Sequence, residues 1–164
     1  MTLTTHIAIA AAVTGPIAHI HPALTFVVAL ASHYLSDAIP HWDYELRSPE
    51  KDELARVKKI SVHHPEFGRD FIKMSLDGTL GLVLMWFIIG PVSFETTIWI
   101  GLAAVGGCLP DFLQGVYTIL DLKFLAPLHR FHHLMHTKIR LGPYPLLGVP
   151  FQLLILFITL YFLI

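Results

Sequence analysis

The chain has 164 residues, of which 54% are hydrophobic and only 14% are charged. A soluble domain of this size usually carries about 25% charged residues, so the composition points to a bilayer and excludes a disordered chain. The formal net charge of −1 excludes nucleic-acid binding through a basic surface. The single cysteine, Cys108, excludes an internal disulfide.

Hydrophobic stretches divide the chain into a helical hairpin and three longer segments. In the first 41 residues, proline-containing breaks at 15–16 and 21–22 separate two pieces that predict a short hairpin. Leu76–Phe94, Thr97–Leu120 and Leu141–Ile164 are each close to the roughly 20 residues that cross a bilayer. We therefore predict an all-α, polytopic integral membrane bundle of about five helices, built as a single domain over residues 1–164.

Two charged loops set the predicted orientation. The loop at 42–74 has seven Lys and Arg residues, the segment at 121–140 has four, and the turn at 90–96 has none. Cytoplasmic loops carry the excess of Lys and Arg, so both loops are predicted to face the cytoplasm. The stretch from Glu50 to Ile60 predicts an amphipathic surface helix. No basic residue precedes the first apolar stretch, so no cleaved signal peptide is predicted.

Histidine is the most unusual feature of the composition, with 11 residues. In ASHYLSDAIPHWD, His33, Asp37 and His41 follow each other at intervals of four, which places them within about 80° on one side of a helix. The segment HRFHHLMH would place its four histidines within an arc of about 100° if it is helical. These four are His129, His132, His133 and His136.

The predicted orientation brings these residues and three further polar groups to one side of the membrane. Asp111 follows the helix-breaking Pro110, and His6 and Asp77 lie at the ends of predicted helices. Ionisable groups inside a membrane cost about 2.5–3.5 kcal/mol each on insertion scales, so their convergence suggests a function. We predict a metal site whose ligands come from His6, His33, Asp37, Asp77, Asp111, His129, His133 and His136.

The donor types indicate which metal such a site would hold. Imidazole and carboxylate without a usable thiolate favour a divalent transition metal, zinc first, with iron or manganese as alternatives. The donors exceed the three protein ligands of a mononuclear catalytic zinc, which slightly favours two ions over one ion with accessory groups. In this scheme His132 shuttles protons, His41 orients a ligand, and Arg130 contacts a phosphate.

Each of these residues also has a structural explanation. His33 and Asp37 could hold two helices together by a hydrogen bond. Asp111 and Asp77 could cap helix ends, and the histidine-rich segment could be merely interfacial. The metal hypothesis is preferred because all these explanations would have to hold at once.

Four fragments of the chain resemble the small bacterial inner-membrane proteins known as membrane-bound metal-dependent hydrolases, a group similar to zinc-dependent phospholipase C-type proteins. The fragments read THIAIAAAVTG, LASHYLSDAIPHWD, LPDFLQG and HRFHHLMH, and together about 35 residues carry the resemblance. The Pro-Asp and His-Arg elements follow the Ser-His-x3-Asp element here, whereas they precede it in the better-known branch. The resemblance implies an inner-membrane location and matches the polar positions of the family at His6, His33, Asp37, Asp111 and His129.

The residues and the resemblance together predict a metal-dependent hydrolase at the cytoplasmic face, acting on a membrane lipid with a phosphorylated headgroup. A peptide or amide substrate is an alternative. So is a membrane hydroxylase or desaturase with two irons, because HRFHH is a His-x2-His-His box. A divalent-cation transporter or metal-dependent scaffold would also place ligands between helices, with His19 and His21 near an exit. The residues predict no oligomeric state.

Overall fold

A computed structural model describes residues 1–52, 57–90 and 93–163. These residues contain six α-helices and one two-stranded hairpin. The helices are α1 (Leu3–Thr14), α2 (Pro22–Asp37), α3 (Phe67–Ile89), α4 (Phe94–Leu120), α5 (Ala126–Met135) and α6 (Pro145–Leu163). The strands are β1 (Pro49–Asp52) and β2 (Val57–Ile60), and short 3₁₀ turns lie at Gly15–Ile17 and Lys123–Leu125. The prediction of a mainly helical chain is confirmed.

Helix α1 is the central helix of the fold. Eight of its twelve residues are buried, and it packs against α2, α3, α4 and α6. Its small residues Ala8, Ala10 and Ala11 belong to the hydrophobic core. Small side chains let neighbouring helices approach closely, so α1 can be enclosed on several sides.

Helices α1 and α2 form the predicted hairpin. Pro16 lies in the turn between them, and Pro22 occupies the first position of α2, where its missing N–H has no helical partner to lose. The ring of His21 caps α2 by accepting a hydrogen bond at Nδ1 from the backbone N–H of Ala23, at 3.1 Å. At 1.5 Å per residue, α1 and α2 are about 18 and 24 Å long, which is shorter than a hydrocarbon core of about 30 Å.

Helices α3, α4 and α6 are long and apolar enough to cross a membrane, with 23, 27 and 19 residues. Large apolar side chains of α3 and α6 are exposed, among them Trp86, Phe87, Phe157 and Phe162. Soluble monomers rarely expose contiguous apolar surface on this scale. The three helices are therefore compatible with membrane insertion.

The helix count and the start of α3 differ from the sequence prediction, whereas α4 ends at Leu120 as predicted. The described residues contain six α-helices rather than five, because part of the histidine-rich segment forms its own helix, α5. Helix α3 begins at Phe67 rather than at Leu76. The prediction followed the apolar run, and the first turns of α3 are polar. Helix α4 continues through Pro110 without ending there.

The predicted surface helix over Glu50–Ile60 is replaced by β-structure in the residues described there. Strands β1 and β2 pair antiparallel, with Pro49 opposite Ile60, while residues 53–56 lie outside the described part of the chain. Asp70 of α3 fixes the entry to β1 by accepting hydrogen bonds from the backbone N–H groups of Arg47 and Ser48, at 2.7 and 2.8 Å. Helix propensity is a weak preference that such tertiary contacts override.

The contact of α4 with the hairpin depends on two adjacent glycines. A Cβ at Gly106 would lie 2.7 Å from the Cβ of Ala29 and 2.9 Å from the carbonyl oxygen of Phe26 in α2. A Cβ at Gly107 would lie 3.0 Å from the Cβ of Ala10 in α1. Because glycine has no side chain, the backbone of α4 can lie against both helices of the hairpin. This contact is close to the polar residues that follow on α4.

Replacing Gly106 with alanine is expected to push α4 away from α2 and to destabilise the fold by about 1–3 kcal/mol, the usual cost of overpacking. Thermal unfolding of the purified protein in detergent measures the effect. Gly101→Ala is the matched control, because a Cβ at Gly101 on the same helix has open space around it. Equal melting temperatures for the two variants would contradict the close contact.

Candidate metal centre

Asp37, the last residue of α2, lies at the centre of a buried polar cluster. Helices α1, α4 and α5 each add one residue to the cluster, and α2 itself adds a second. The nitrogen atoms of the three histidines lie within 4 Å of the carboxylates of Asp37 and Asp111. The contributing residues are His6 of α1, His33 of α2, Asp111 of α4 and His132 of α5. The structure therefore brings together residues far apart in the sequence, such as His33 and His132, which are 99 positions apart.

His33, Asp37, Asp111 and His132 form the first ligand group. Each offers one atom, and these atoms all lie within 4.8 Å of one another. The Nε2 atoms of His33 and His132 lie 3.3 and 2.9 Å from Asp37 Oδ2, 3.8 and 3.6 Å from Asp111 Oδ1, and 3.3 Å apart. Ligand atoms at about 2.0–2.2 Å from a tetrahedral zinc are about 3.3–3.5 Å apart, so these separations fit one ion.

Hydrogen bonds at the far side of two rings direct an unprotonated nitrogen into the cluster. His33 Nδ1 lies 2.7 Å from the carbonyl oxygen of Gly107, which can only accept, so Nδ1 carries a proton and Nε2 is bare in the neutral ring. His6 Nδ1 lies 3.1 Å from Ser36 Oγ. The Ser36 hydroxyl already donates to the carbonyl oxygen of His33 at 2.9 Å, so it accepts from His6.

A bare ring nitrogen adds an acceptor next to the acceptor oxygens of Asp37. His6 Nε2 is buried without a hydrogen-bond partner and lies 3.2 Å from Asp37 Oδ1. A bare nitrogen and a carboxylate oxygen repel each other at this distance unless a proton or a cation lies nearby. His33 Nε2 faces Asp37 Oδ2 in the same way. This donor set fits a bound cation.

A second ligand group shares Asp37 with the first. It contains Asp37, His41 and His136, whose ligand atoms also lie within 4.8 Å of one another. Asp43 adjoins it, since its Oδ2 lies 3.2 Å from His41 Nε2 and 3.8 Å from His136 Nε2. His41 has an acceptor at each ring nitrogen, with Nδ1 2.7 Å from the carbonyl oxygen of Ile39 and Nε2 3.2 Å from Asp43 Oδ2.

The second group forms where two helices end. Helix α2 ends at Asp37 and α5 at Met135, and His136 has extended backbone angles, φ −67° and ψ 133°. Backbone hydrogen bonds from Thr137 to Asp37 (2.8 Å) and from Leu141 to His41 (3.2 Å) join the two chain segments. The predicted stripe is therefore divided, with His33 in the first group, His41 in the second and Asp37 in both. Of the predicted arc from His129 to His136, His132 lies in the first group and His136 in the second.

Burial favours the neutral form of the half-buried histidines near the cluster. It lowers the pKa of His136, and it lowers the pKa of His129, where the neighbouring His133 and His132 act in the same direction. A histidine with a lowered pKa stays neutral at pH 7 and becomes charged only as the pH falls further. Neutral imidazole is the form that binds a metal.

Asp77, predicted as a metal ligand, caps the start of α1 and lies in neither ligand group found in the described residues. Its carboxylate, on α3, accepts hydrogen bonds from the backbone N–H groups of Leu3 and Thr4 at 2.7 and 3.1 Å. It also accepts from the hydroxyls of Thr4 (2.7 Å) and Tyr44 (3.2 Å). Asp77 thus satisfies the free N–H groups at the start of α1 from a different helix, and its oxygens are used by these donors.

Three other predicted residues of α5 lie outside both ligand groups. The ring of His129 stacks on Tyr117, with centroids 4.6 Å apart. His133 and Arg130 are exposed. His132, which the sequence predicted as a proton carrier, lies in the first group instead, and His41, predicted to orient a ligand, lies in the second.

Sequence reasoning missed several residues around the cluster. Asp43 ends the fragment that contains His33 and His41, so its position in that fragment was an available signal. Ser36 and Gly107 fix ring orientations through a hydroxyl and a backbone carbonyl, and no residue pattern reveals such contacts. Tyr34 and Gln114 line a small pocket together with His132. Neither residue type indicates such a position in the sequence.

Comparisons of the chain with protein-family models, with curated proteins and with solved structures found no match. The resemblance carried by the four sequence fragments therefore stays a prediction. The geometry of the two ligand groups is the basis for the functional proposal.

Asp77→Ala is expected to destabilise the fold by about 0.5–2 kcal/mol, the usual cost of losing a helix cap, while the protein keeps its bound metal. Thermal unfolding and metal analysis of the same purified sample measure both effects. Glu95→Ala is the matched control, because Glu95 is an exposed acidic residue in the first turn of α4. Loss of metal without a change in melting temperature would show that Asp77 is a ligand after all.

Proposed function

We propose that the chain is a membrane-embedded, metal-dependent hydrolase that acts on a phosphorylated lipid headgroup. The observation that carries this proposal is the first ligand group, whose four residues place nitrogen and oxygen atoms 2.9–3.8 Å apart. Two imidazoles and two carboxylates suit zinc, with iron or manganese as alternatives. A bound divalent metal supplies hydroxide at neutral pH, because it lowers the pKa of water from about 16 to about 7.

The surrounding residues have separate tasks in this proposal. The carbonyl oxygen of Gly107 holds the ring of His33 with Nε2 towards the ion. Asp111 has 26% of its side chain exposed, so water and substrate approach the group from its side. His6 would accept the proton that a metal-activated water loses, because its Nε2 has no hydrogen-bond partner and lies between the two carboxylates of the site, 3.2 Å from Asp37 Oδ1 and 3.9 Å from Asp111 Oδ2.

The position of the cluster supports action at the cytoplasmic face. His41 and Asp43 lie at the start of the charged 42–74 loop, and His132 and His136 lie in the 121–140 segment. Both segments carry the Lys and Arg excess typical of cytoplasmic loops. Arg130, Lys138 and Arg140 are exposed in the second segment and form a cationic rim suited to a phosphate. Together with the resemblance, this supports a bacterial inner-membrane location.

Two observations weigh against the alternative functions. Of the His-x2-His-His box, only His132 belongs to either ligand group, which disfavours the two-iron hydroxylase. A transporter needs a path to the other side, but both ligand groups found in the described residues share Asp37. His19 and His21 lie at the opposite end of the hairpin and are exposed, and His21 is used as a helix cap.

Asp37→Ala is expected to remove most of the bound metal, because Asp37 contributes to both ligand groups. Metal analysis of the purified protein by mass spectrometry measures this, and circular dichroism checks that the variant is folded. His133→Ala is the matched control, since it removes an exposed imidazole from the helix that carries His132. A folded Asp37→Ala variant with full metal content would overturn the proposed site.

His6→Ala is expected to lower kcat by about 100-fold or more, the contribution of a general base, while the variant retains its metal. The assay incubates zinc-loaded protein with vesicles of anionic phospholipid and measures the soluble phosphoester or phosphate released. His133→Ala should leave the rate unchanged. If the metal-loaded wild type releases no product, the hydrolase proposal is wrong. Oxygen consumption by an iron-loaded sample would then favour the two-iron hydroxylase, and metal flux into vesicles would favour the transporter.

A further inference from the structure

We infer that the site binds two metal ions and that Asp37 bridges them through its two carboxylate oxygens. The inference rests on the proposed metal site and adds a second ion to it. Asp37, Asp43, His41 and His136 would hold this ion. None of the last three contributes to the first ligand group.

The two oxygens of Asp37 face different sets of nitrogen atoms. Oδ2 lies 3.3 Å from His33 Nε2 and 2.9 Å from His132 Nε2. Oδ1 lies 3.8 Å from His41 Nε2 of the second group and 3.2 Å from His6 Nε2, which belongs to neither group. Two-metal hydrolytic sites hold their ions about 3.5–4 Å apart, a spacing that one carboxylate with an ion on each oxygen can span.

Distances within the second group match those around a single ion. His41 Nε2 lies 3.8 Å from Asp37 Oδ1 and 3.2 Å from Asp43 Oδ2, which in turn lies 3.8 Å from His136 Nε2. These separations are close to the roughly 3.3–3.5 Å edge of a tetrahedral zinc site. His41 Nε2 is hydrogen-bonded to Asp43 Oδ2 at 3.2 Å, and an ion bound here would take the place of the shared proton.

The second group is more accessible than the first. Asp37 and His41 have 1% of their side chains exposed, whereas Asp43 and His136 have 45% and 24% exposed. An ion held between a buried carboxylate and two partly exposed ligands can exchange with solvent. We therefore expect the second ion to be held more weakly than the first.

An amine is the competing occupant of this position. The Met1 nitrogen lies 3.2 Å from Asp37 Oδ1 and 2.7 Å from Asp43 Oδ1. As an ammonium group it would balance the two carboxylates without a second metal, and as a neutral amine it would be a further ligand. The two cases differ in metal stoichiometry, which makes the inference testable.

The test counts metal ions in the purified full chain after loading with Mn(II) or Zn(II). The wild type is expected to bind two ions per chain and His136→Ala one, while His133→Ala, the exposed neighbour on α5, keeps two. His136 is the preferred position because its ring is partly exposed and outside the hydrophobic core. His41→Gln provides a second variant with the same expected loss of one ion.

Electron paramagnetic resonance of the Mn(II)-loaded protein tests the bridge itself. Two ions joined by Asp37 give an exchange-coupled spectrum in the wild type, and His136→Ala gives the spectrum of an isolated ion. One ion in the wild type, retained in His136→Ala, would overturn the second site and leave the proposed hydrolase standing. Two ions without exchange coupling would overturn the bridge. No bound ion in the folded wild type would overturn the proposed function as well.

Discussion

The buried carboxylate of Asp37 is the constraint on which the rest of the site depends. Asp37 is 1% exposed and ends α2, where the partial negative charge of the helix terminus adds to the cost of its own charge. An unpaired buried carboxylate is strongly unfavourable, so its neighbours must supply positive charge. The Met1 nitrogen is one such neighbour, 3.2 Å from Asp37 Oδ1. The surrounding side chains are histidines, and His6, His33 and His41 direct their Nδ1 atoms to other partners. A cation held among these rings would add to the positive charge beside Asp37.

The scaffold around Asp37 is arranged to keep these histidines in place. Gly106 and Gly107 allow α4 to touch both helices of the hairpin, and the same contact presents the Gly107 carbonyl oxygen to the ring of His33. Asp77 anchors the start of α1, the helix that carries His6. Packing and ligand orientation are thus coupled, because the atoms that close the helix interfaces also fix the tautomers of the rings.

The site consists of two ligand groups because α2 and α5 end within it. His33 and His132 are carried by helical backbone, which holds their side chains rigidly on the inner side of Asp37. His41 and His136 lie beyond the ends of α2 and α5, on segments joined by backbone hydrogen bonds and by the contact of the two rings, whose centroids are 4.7 Å apart. One half of the cluster is therefore buried and rigid, and the other half is open to the side where the charged loops lie. A site of this kind suits a reaction in which water and a polar headgroup meet at the membrane surface.

The sequence alone determined the features that depend on local order. Apolar length predicted the three long helices, the Gly15-Pro16 and His21-Pro22 breaks predicted the hairpin, and the spacing of four between His33 and Asp37 placed both on one helix face. These features follow from helix periodicity and from proline stereochemistry, which act over a few residues.

The tertiary structure decided which polar residues meet. His132 and Asp37 are separated by 95 positions, so their contact depends on how α5 packs against α2. The strands that replace the predicted surface helix, the exposure of His133 and the capping role of Asp77 depend equally on distant contacts. Where α2 and α5 end decided the division into two ligand groups. Helix ends are fixed by backbone partners from elsewhere in the chain, and periodicity carries no information about them.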